Sequence, residues 1–160
     1  MSADFKALLR TLGEAGLEFI VVGGVAAGIH GAARATFDLD VVYRRSSDNI
    51  ERLVLALTPY HPYLRGAPPG LPFRWDAATV QRGLNFTLTT DLGDLDLLGE
   101  ITGGGGYDAL LPSTEVVHAF GLACRLLNLD QLIAVKRAAG RPKDFEAIAE
   151  LEIIHNRRKT

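Results

Sequence analysis

The chain of 160 residues carries 17 lysines and arginines against 19 aspartates and glutamates, a formal net charge of −2, with 48% hydrophobic and 22% charged residues. These proportions exclude a disordered or collagen-like chain. They also lack the strongly basic balance of a domain that grips nucleic acid by bulk charge, while leaving room for a local basic groove. The length predicts one domain over 1–160, burying roughly 70% of its unfolded surface around a single core. Cys124 is the one cysteine, so no internal disulfide forms and the chain fits a reducing compartment. No apolar run approaches the roughly 18 residues of a membrane span, and Ser2-Ala3-Asp4-Phe5 lacks the basic start and apolar stretch of a signal peptide. A soluble, cytoplasmic chain without membrane attachment is expected.

Ser2 and Asp4 suit the start of a helix over 3–14, with Phe5, Leu8, Leu9 and Leu12 at helical spacing and Gly13 and Gly16 at its end. Residues 18–22 read as a short buried strand that stops at Gly23-Gly24, and 25–33, small and apolar, as a short helix. Thr36 to Tyr43 is a second strand in which Phe37, Leu39 and Val41 alternate with Asp38, Asp40 and Val42. Ser47 is placed to cap a helix to Leu57 whose inner face is Ile50, Leu53, Val54 and Leu57. Pro59, Pro62, Pro68, Pro69 and Pro72 make 59–75 a long structured loop, of the kind that is functional or mobile in compact domains. Strands over 84–90 and 95–98 follow, joined by Asp91-Leu92-Gly93, then a flexible stretch over 103–106 and a hairpin of 114–118 with 123–127. Helices over 129–139 and 142–155, split by Gly140, end the order. The pattern implies an α/β (α+β) fold, a mixed β-sheet flanked by helices, with its chemistry at strand ends and in loops.

Aspartate is depleted in strands, because it competes with the backbone for hydrogen bonds and gains nothing from packing. Here Asp38 and Asp40 share one apolar strand, and Asp94 and Asp96 another. The two-residue strand period sends Asp38 and Asp40 to the same face. Carboxylates this close repel one another unless a cation lies between them, and hard oxygen donors of this kind suit Mg²⁺. A third acid from a neighbouring strand would complete a two-metal site for in-line phosphoryl or nucleotidyl displacement. Asp96, inside Leu95-Asp96-Leu97-Leu98, fits that role better than Asp94, which stands at the strand's start. The plainer alternative is an acidic, solvent-facing strand.

In Ile20-Val21-Val22-Gly23-Gly24-Val25-Ala26-Ala27-Gly28 a strand runs through paired glycines into a helix. Such a turn brings backbone N–H groups close to phosphate oxygens, or serves as a tight turn alone. The glycines fall as G-G-x-x-x-G rather than G-x-G-x-x-G, so the dinucleotide register is wrong, and no Gly-Lys-Ser/Thr follows to make a P-loop. Lys136 is the next residue on the apolar stripe of Leu129, Leu132 and Ile133. A lysine there either reaches an anion, such as a triphosphate or a site carboxylate, or lays its stem on the core with its head in water.

Gly23-Gly24, Ala26, Gly31, Arg34, Thr36, Asp38 and Asp40, followed by an apolar strand with Asp96, resemble the nucleotidyltransferase superfamily related to DNA polymerase β. The resemblance is strongest to the branch of bacterial abortive-infection and toxin–antitoxin nucleotidyltransferases. Lys136, Gly140-Arg141, Lys143 and Asp144 resemble the Lys-x-x-x-Gly-Arg-x-Lys-Asp segment that often ends such domains. The resemblance spans roughly 18–42, 84–100 and 129–152. It implies a bound nucleoside triphosphate, ATP among the candidates, with Gly23 and Gly24 on the phosphates and Asp38, Asp40 and Asp96 as catalytic ligands of two Mg²⁺ ions. Arg34, Thr36, Lys136 and Lys143 would be nucleotide-binding, although Arg34 equally suits a surface ion pair and Thr36 a plain strand position. The acceptor hydroxyl would be on an RNA end, a protein side chain or a small molecule.

Two other readings remain open: a non-catalytic module that binds a nucleotide or the cognate protein of a toxin–antitoxin pair, and a Rossmann-type oxidoreductase. Trp75, near Arg65, Arg74 and Arg82, either stacks on a base or is structural. His30, His61, His118 and His155 show no metal-ligand spacing with one another or with Cys124, which is expected in the core.

Overall fold

The computed structural model describes residues 5–33 and 38–158. Helix α1 (Phe5–Glu14) buries Leu8, Leu9 and Leu12, the stripe expected of it. Strand β1 (Phe19–Val22) runs into α2 (Gly23–His30), which starts at the glycine pair, two residues earlier than the sequence suggests. Strand β2 (Asp38–Tyr43) and helix α3 (Ser47–Leu57) follow. Ser47 does not cap α3: the cap position is Ser46, whose side chain makes no capping bond. What fixes this corner is the fully buried Asn49. It accepts from the Glu18 N–H at 2.7 Å and donates to the Glu18 and Arg44 carbonyls at 3.0 and 2.8 Å, tying the start of β1 to the end of β2.

The proline-rich segment is not all loop. Tyr63–Leu64 forms β3, and Asp76 caps α4 (Ala77–Arg82) by accepting from the Thr79 N–H at 2.8 Å. Trp75 is structural: its indole N–H donates to the Val54 carbonyl at 3.1 Å while its ring packs against the core. Strands β4 (Phe86–Thr90) and β5 (Gly93–Leu98) make the expected hairpin. The stretch over 103–106 is ordered in a small hairpin of β6 (Glu100–Ile101) and β7 (Gly105–Gly106), followed by α5 (Tyr107–Leu110). A Cβ at Gly103 would collide with that of Ala138, so glycine lets the hairpin lie directly on α6 (Leu129–Ala139). Strands β8 (Thr114–Ala119) and β9 (Leu122–Leu127) pair as expected, and α7 (Pro142–Arg158) runs three residues beyond its expected end.

Among the described residues, seven strands form one sheet in the order β3-β4-β5-β2-β1-β9-β8. β2 runs antiparallel to β1 but parallel to β5, and β9 parallel to β1, so the sheet is mixed. This is not the doubly wound parallel sheet of a dinucleotide-binding oxidoreductase. α1 packs across β2, β5 and β9 with α3 beside it, while α2 packs on β1, β2 and α6, and α6 on α7. The core is built from Leu39, Val41, Leu88, Leu95, Leu97 and Leu126 of the sheet with the apolar stripes of these helices; Cys124 lies in it. No helix among the described residues is long and apolar enough to cross a membrane.

Three hydrogen bonds around His30 hold the helix that carries the glycine turn. His30, at the end of α2, is buried, and its Nε2 lies 2.8 Å from the Leu127 carbonyl. A carbonyl only accepts, so Nε2 carries the proton and Nδ1 accepts from the Arg158 guanidinium at 3.2 Å. Arg158 also donates to the His30 carbonyl at 3.1 Å. The last turn of α7 thereby fastens the C-terminus of α2.

Packing of the sheet's inner face sets a direct test. Leu95→Ala, at a fully buried central-strand position, is expected to cost about 2–5 kcal/mol in urea unfolding. Leu55→Ala, on the exposed side of α3, is expected to change stability by no more than about 0.5 kcal/mol.

Candidate active site

Sheet register, more than any single residue, assembles the site. Parallel pairing of β2 with β5 sets Asp38 opposite Asp94 and Asp40 opposite Asp96. The hairpin then sets Asp96 opposite Thr87 and Asp94 opposite Thr89, and the Arg65 N–H bonds to the Thr87 carbonyl at 3.0 Å. One face of four adjacent strands thus reads Arg65, Thr87, Asp96, Asp40 across one row and Tyr63, Thr89, Asp94, Asp38 across the next. Leu39, Leu88 and Leu95, in the row between, point the other way into the core. With strands about 4.8 Å apart, four carboxylates are gathered where two would already repel.

Arg65 stands among them. Its Nη2 is 2.9 Å from Asp96 Oδ1, its Nε 3.4 Å from Asp94 Oδ2 and its Nη1 3.6 Å from Asp38 Oδ2. The same Nη2 donates to the Leu88 carbonyl at 2.8 Å, so the guanidinium is anchored on β4 as well as by the acids. Asp40 lies outside the reach of Arg65 and meets Asp96 instead, while its Oδ1 is buried without a hydrogen bond. Its carboxyl is pushed up to about 7, first by burial and then by Asp96 and Asp38, with Arg65 opposing.

Gly23 forms the near wall. Its φ of +68° is left-handed, and a Cβ there would strike Asp40 Oδ2. Glycine is therefore required twice over, by the turn and by the closeness of the carboxylate. Val22, the cap residue of α2, supplies no side-chain acceptor to the first N–H groups of the helix, and Gly23 and Gly24 line a cleft of about 380 Å³ together with Asp38, Asp40 and Asp96.

The opposite wall comes from α6 and α7. Lys136 projects into the cleft half-buried, and burial pulls its ammonium below the usual lysine range against the pull of Asp144 and Asp40. Gly140, at φ +63°, ends α6 in a left-handed cap and reverses the chain. Asp144 then closes the start of α7: it accepts from the Arg141 backbone N–H at 3.2 Å and from the Arg141 Nε at 2.8 Å, which holds its buried carboxyl below the usual range. Arg141 and Lys143 complete this basic wall, Lys143 exposed at the rim. A second hollow of about 430 Å³ adjoins on the far side of Asp40 and Lys136, lined by Asn85, Leu98, Ile101, Leu132 and Val135.

The structure brings Gly23, Gly24, Asp38, Asp40, Asp96, Lys136 and Lys143 to one cleft. Arg34 and Thr36 lie outside the described residues. Sequence reasoning missed Arg65 as a member and named Arg141 only within a motif. The one sequence signal for Arg65 is the alternation Tyr63-Leu64-Arg65, hidden among prolines and too short to read as a strand. As donors for a divalent cation, Asp38, Asp40 and Asp96 offer hard oxygens, and the orphaned Asp40 Oδ1 is a fitting ligand atom. As they stand, no three acidic, histidine or cysteine side chains among the described residues are grouped to hold a metal; the Arg65 guanidinium lies among Asp38, Asp94 and Asp96, and ligation requires these carboxylates to turn from it toward the ion.

Two expectations follow. Between its ordinary value of 3.8 and its folded value of about 7, Asp40 binds more proton in the folded than in the unfolded chain, so its contribution to stability falls as pH rises through that window. In EDTA, the stability of Asp40→Asn minus that of the wild type, from urea unfolding, is expected to be larger at about pH 7.5 than at about pH 4.5. Gly23→Ala is expected to cost about 1–3 kcal/mol in the same measurement, from the left-handed backbone and the lost clearance to Asp40.

No protein-family model matches the chain, and no curated protein sequence matches it. Solved structures do. A protein of Thermotoga maritima assigned as a nucleotidyltransferase superposes with a TM-score of 0.58 at 12% identity, over 91% of this chain and 90% of the other. An antigenic nucleotidyltransferase-like protein from Paracoccidioides brasiliensis superposes with a TM-score of 0.55 at 15% identity, over 91% of this chain and 72% of the other. At such identities the likeness is one of fold, and the fold is nucleotidyltransferase-like: a mixed sheet flanked by helices.

Proposed function

We propose that the chain is a Mg²⁺-dependent nucleotidyltransferase that moves a nucleoside monophosphate from a nucleoside triphosphate to an acceptor hydroxyl. The observation that carries this reading is the register that sets Asp38, Asp40 and Asp96 beside the Gly23-Gly24 turn and across a cleft from Lys136 and Arg141. Anion-binding and cation-binding groups face each other there at the spacing of one small cleft. That division of labour suits a triphosphate escorted by a divalent cation.

In this reading the first N–H groups of α2, at Gly23 and Gly24, bind phosphate oxygens, favoured by the helix dipole. Lys136 and Arg141 neutralise the charge that gathers on the leaving pyrophosphate, and Lys143 draws the nucleotide in at the rim. Asp38, Asp40 and Asp96 would hold the divalent cation, which when bound supplies charge neutralisation at the α-phosphate and a more acidic acceptor hydroxyl. The acceptor oxygen forms a bond to the α-phosphorus as the bond to the bridging oxygen breaks. Pyrophosphate leaves with that electron pair, and the hydroxyl proton passes to solvent. No activated serine or cysteine is needed, because such chemistry is mostly positioning and electrostatics. The resemblance of Gly23-Gly24, Asp38 and Asp40 to the abortive-infection and toxin–antitoxin branch supports an RNA end, a protein side chain or a small molecule as acceptor and a cognate protein as partner, in the cytoplasm.

The rival is a module that keeps the fold for holding a nucleotide or a partner protein without chemistry. The crowded carboxylates favour the enzyme, since a scaffold gains nothing from a buried carboxylate oxygen that lacks a hydrogen bond. The deciding experiment is a thermal-shift series with ATP, GTP, CTP and UTP, with and without Mg²⁺, on wild type and Asp40→Asn, followed by a search for labelled-nucleotide transfer. A nucleotide at about 100 times its Kd adds about 2.7 kcal/mol, a rise of several degrees. The expected outcome is a Mg²⁺-dependent rise in the wild type that is lost in Asp40→Asn, with transfer reduced at least about 100-fold. A rise that persists in Asp40→Asn without any transfer selects the binding module.

A further inference from the structure

The hollow of about 430 Å³ beyond Asp40 and Lys136 differs in chemistry from the cleft it adjoins. Gly23, Asp40, Lys136 and Arg141 line both, so a ligand held by its phosphates in the cleft extends into the hollow across these shared residues. Away from them the hollow is walled by Leu132 and Val135 of α6, both buried, and by Leu98 and Ile101 of β5 and β6. Apolar walls with a few polar groups suit a flat ring such as a nucleobase better than another charged group.

Two of those polar groups carry a pattern. Asn85, exposed in the loop between α4 and β4, lines the hollow, and its Oδ1 accepts from the Gly99 backbone N–H at 2.8 Å. A backbone N–H only donates, so the amide is fixed in one sense and Nδ2 is the atom left to offer a ligand. The same bond sets the amide beside the next residue, Glu100, whose exposed carboxylate also lines the hollow and only accepts. A donor next to an acceptor matches a keto oxygen next to an imide N–H, which guanine and uracil present. Adenine and cytosine present the reverse, an amino group beside a bare ring nitrogen, so that N–H meets N–H and carboxylate meets lone pair.

We propose that this hollow is the nucleobase pocket and that Asn85 and Glu100 select keto–imide bases, so that the nucleotide substrate is GTP or UTP rather than ATP or CTP. The inference rests on the nucleotidyltransferase reading above and narrows its substrate. Both residues act on the base alone: the phosphates remain with Gly23, Gly24, Lys136 and Arg141, which treat all four nucleotides alike.

The test is calorimetric titration of ATP, GTP, CTP and UTP, each with Mg²⁺, into wild type, Asn85→Asp and Glu100→Gln, with folding checked by circular dichroism. GTP and UTP are expected to bind the wild type at least about tenfold more tightly than ATP and CTP. Asn85→Asp turns the offered group into an acceptor while keeping an oxygen for the Gly99 N–H. The preference is expected to fall there by at least about tenfold, with the loss on GTP and UTP. Glu100→Gln, without the charge, lowers it as well. Four wild-type affinities within about threefold of one another, a preference for ATP or CTP, or an unchanged preference in Asn85→Asp overturns the proposal and leaves the transferase reading standing. No binding of any nucleotide removes that reading together with the inference. If Asn85→Asp does not fold, the wild-type ranking and Glu100→Gln still decide.

Discussion

Mutual repulsion of acids on two paired strands is the constraint around which the rest of this structure is arranged. Parallel pairing of β2 with β5 is fixed by the core: Leu39, Val41, Leu95 and Leu97 must all face inward, and a slip by one residue would expose them. The same alternation that buries the leucines places Asp38, Asp40, Asp94 and Asp96 together on the other face. Hydrophobic burial therefore enforces an electrostatic conflict that the fold resolves locally. Arg65 answers part of it, burial pushes Asp40 toward its neutral form, and the rest is left for a ligand.

The basic wall follows from helix endings. Gly140 reverses the chain in a left-handed cap, and Asp144 closes the next helix while gripping Arg141. The spacing from Lys136 to Asp144 is thus largely a solution to joining two helices, and the cations ride on it. Lys136 continues the stripe of Leu129, Leu132 and Ile133, which is why its stem packs and its ammonium emerges in the cleft. On the other wall, the bond from Arg158 to His30 steadies the helix whose first residues carry the glycine turn. Both walls are held by contacts remote from the aspartates.

Much of this is legible in the sequence, and for specific reasons. Aspartates inside apolar strands contradict strand propensity, so Asp38, Asp40 and Asp96 stood out; paired glycines after Ile20-Val21-Val22 announced a turn of unusual conformation. The hairpin of β4 and β5 and the helices α3 and α6 followed from clear periodicity. β3 did not, because two residues show no period and the prolines around them signal loop. Arg65 was lost with it. Nor does a single sequence reveal that β5 pairs in parallel beside β2, a non-local contact that alone converts two acidic strands into one cluster. The glycines over 103–106 read as slack when they mark close packing, Gly103 against α6 and Gly104 against Leu110 and Ile101, since glycine has the same letter in both situations.

The two-residue length of β3 has a dynamic consequence. A strand so short at the rim of a sheet is held by few backbone bonds, and such rims open with free energies well below that of whole-chain unfolding. Every opening carries the guanidinium away and returns the acids to one another's company. Fraying at the sheet's edge and the hunger of its centre for positive charge therefore rise and fall together.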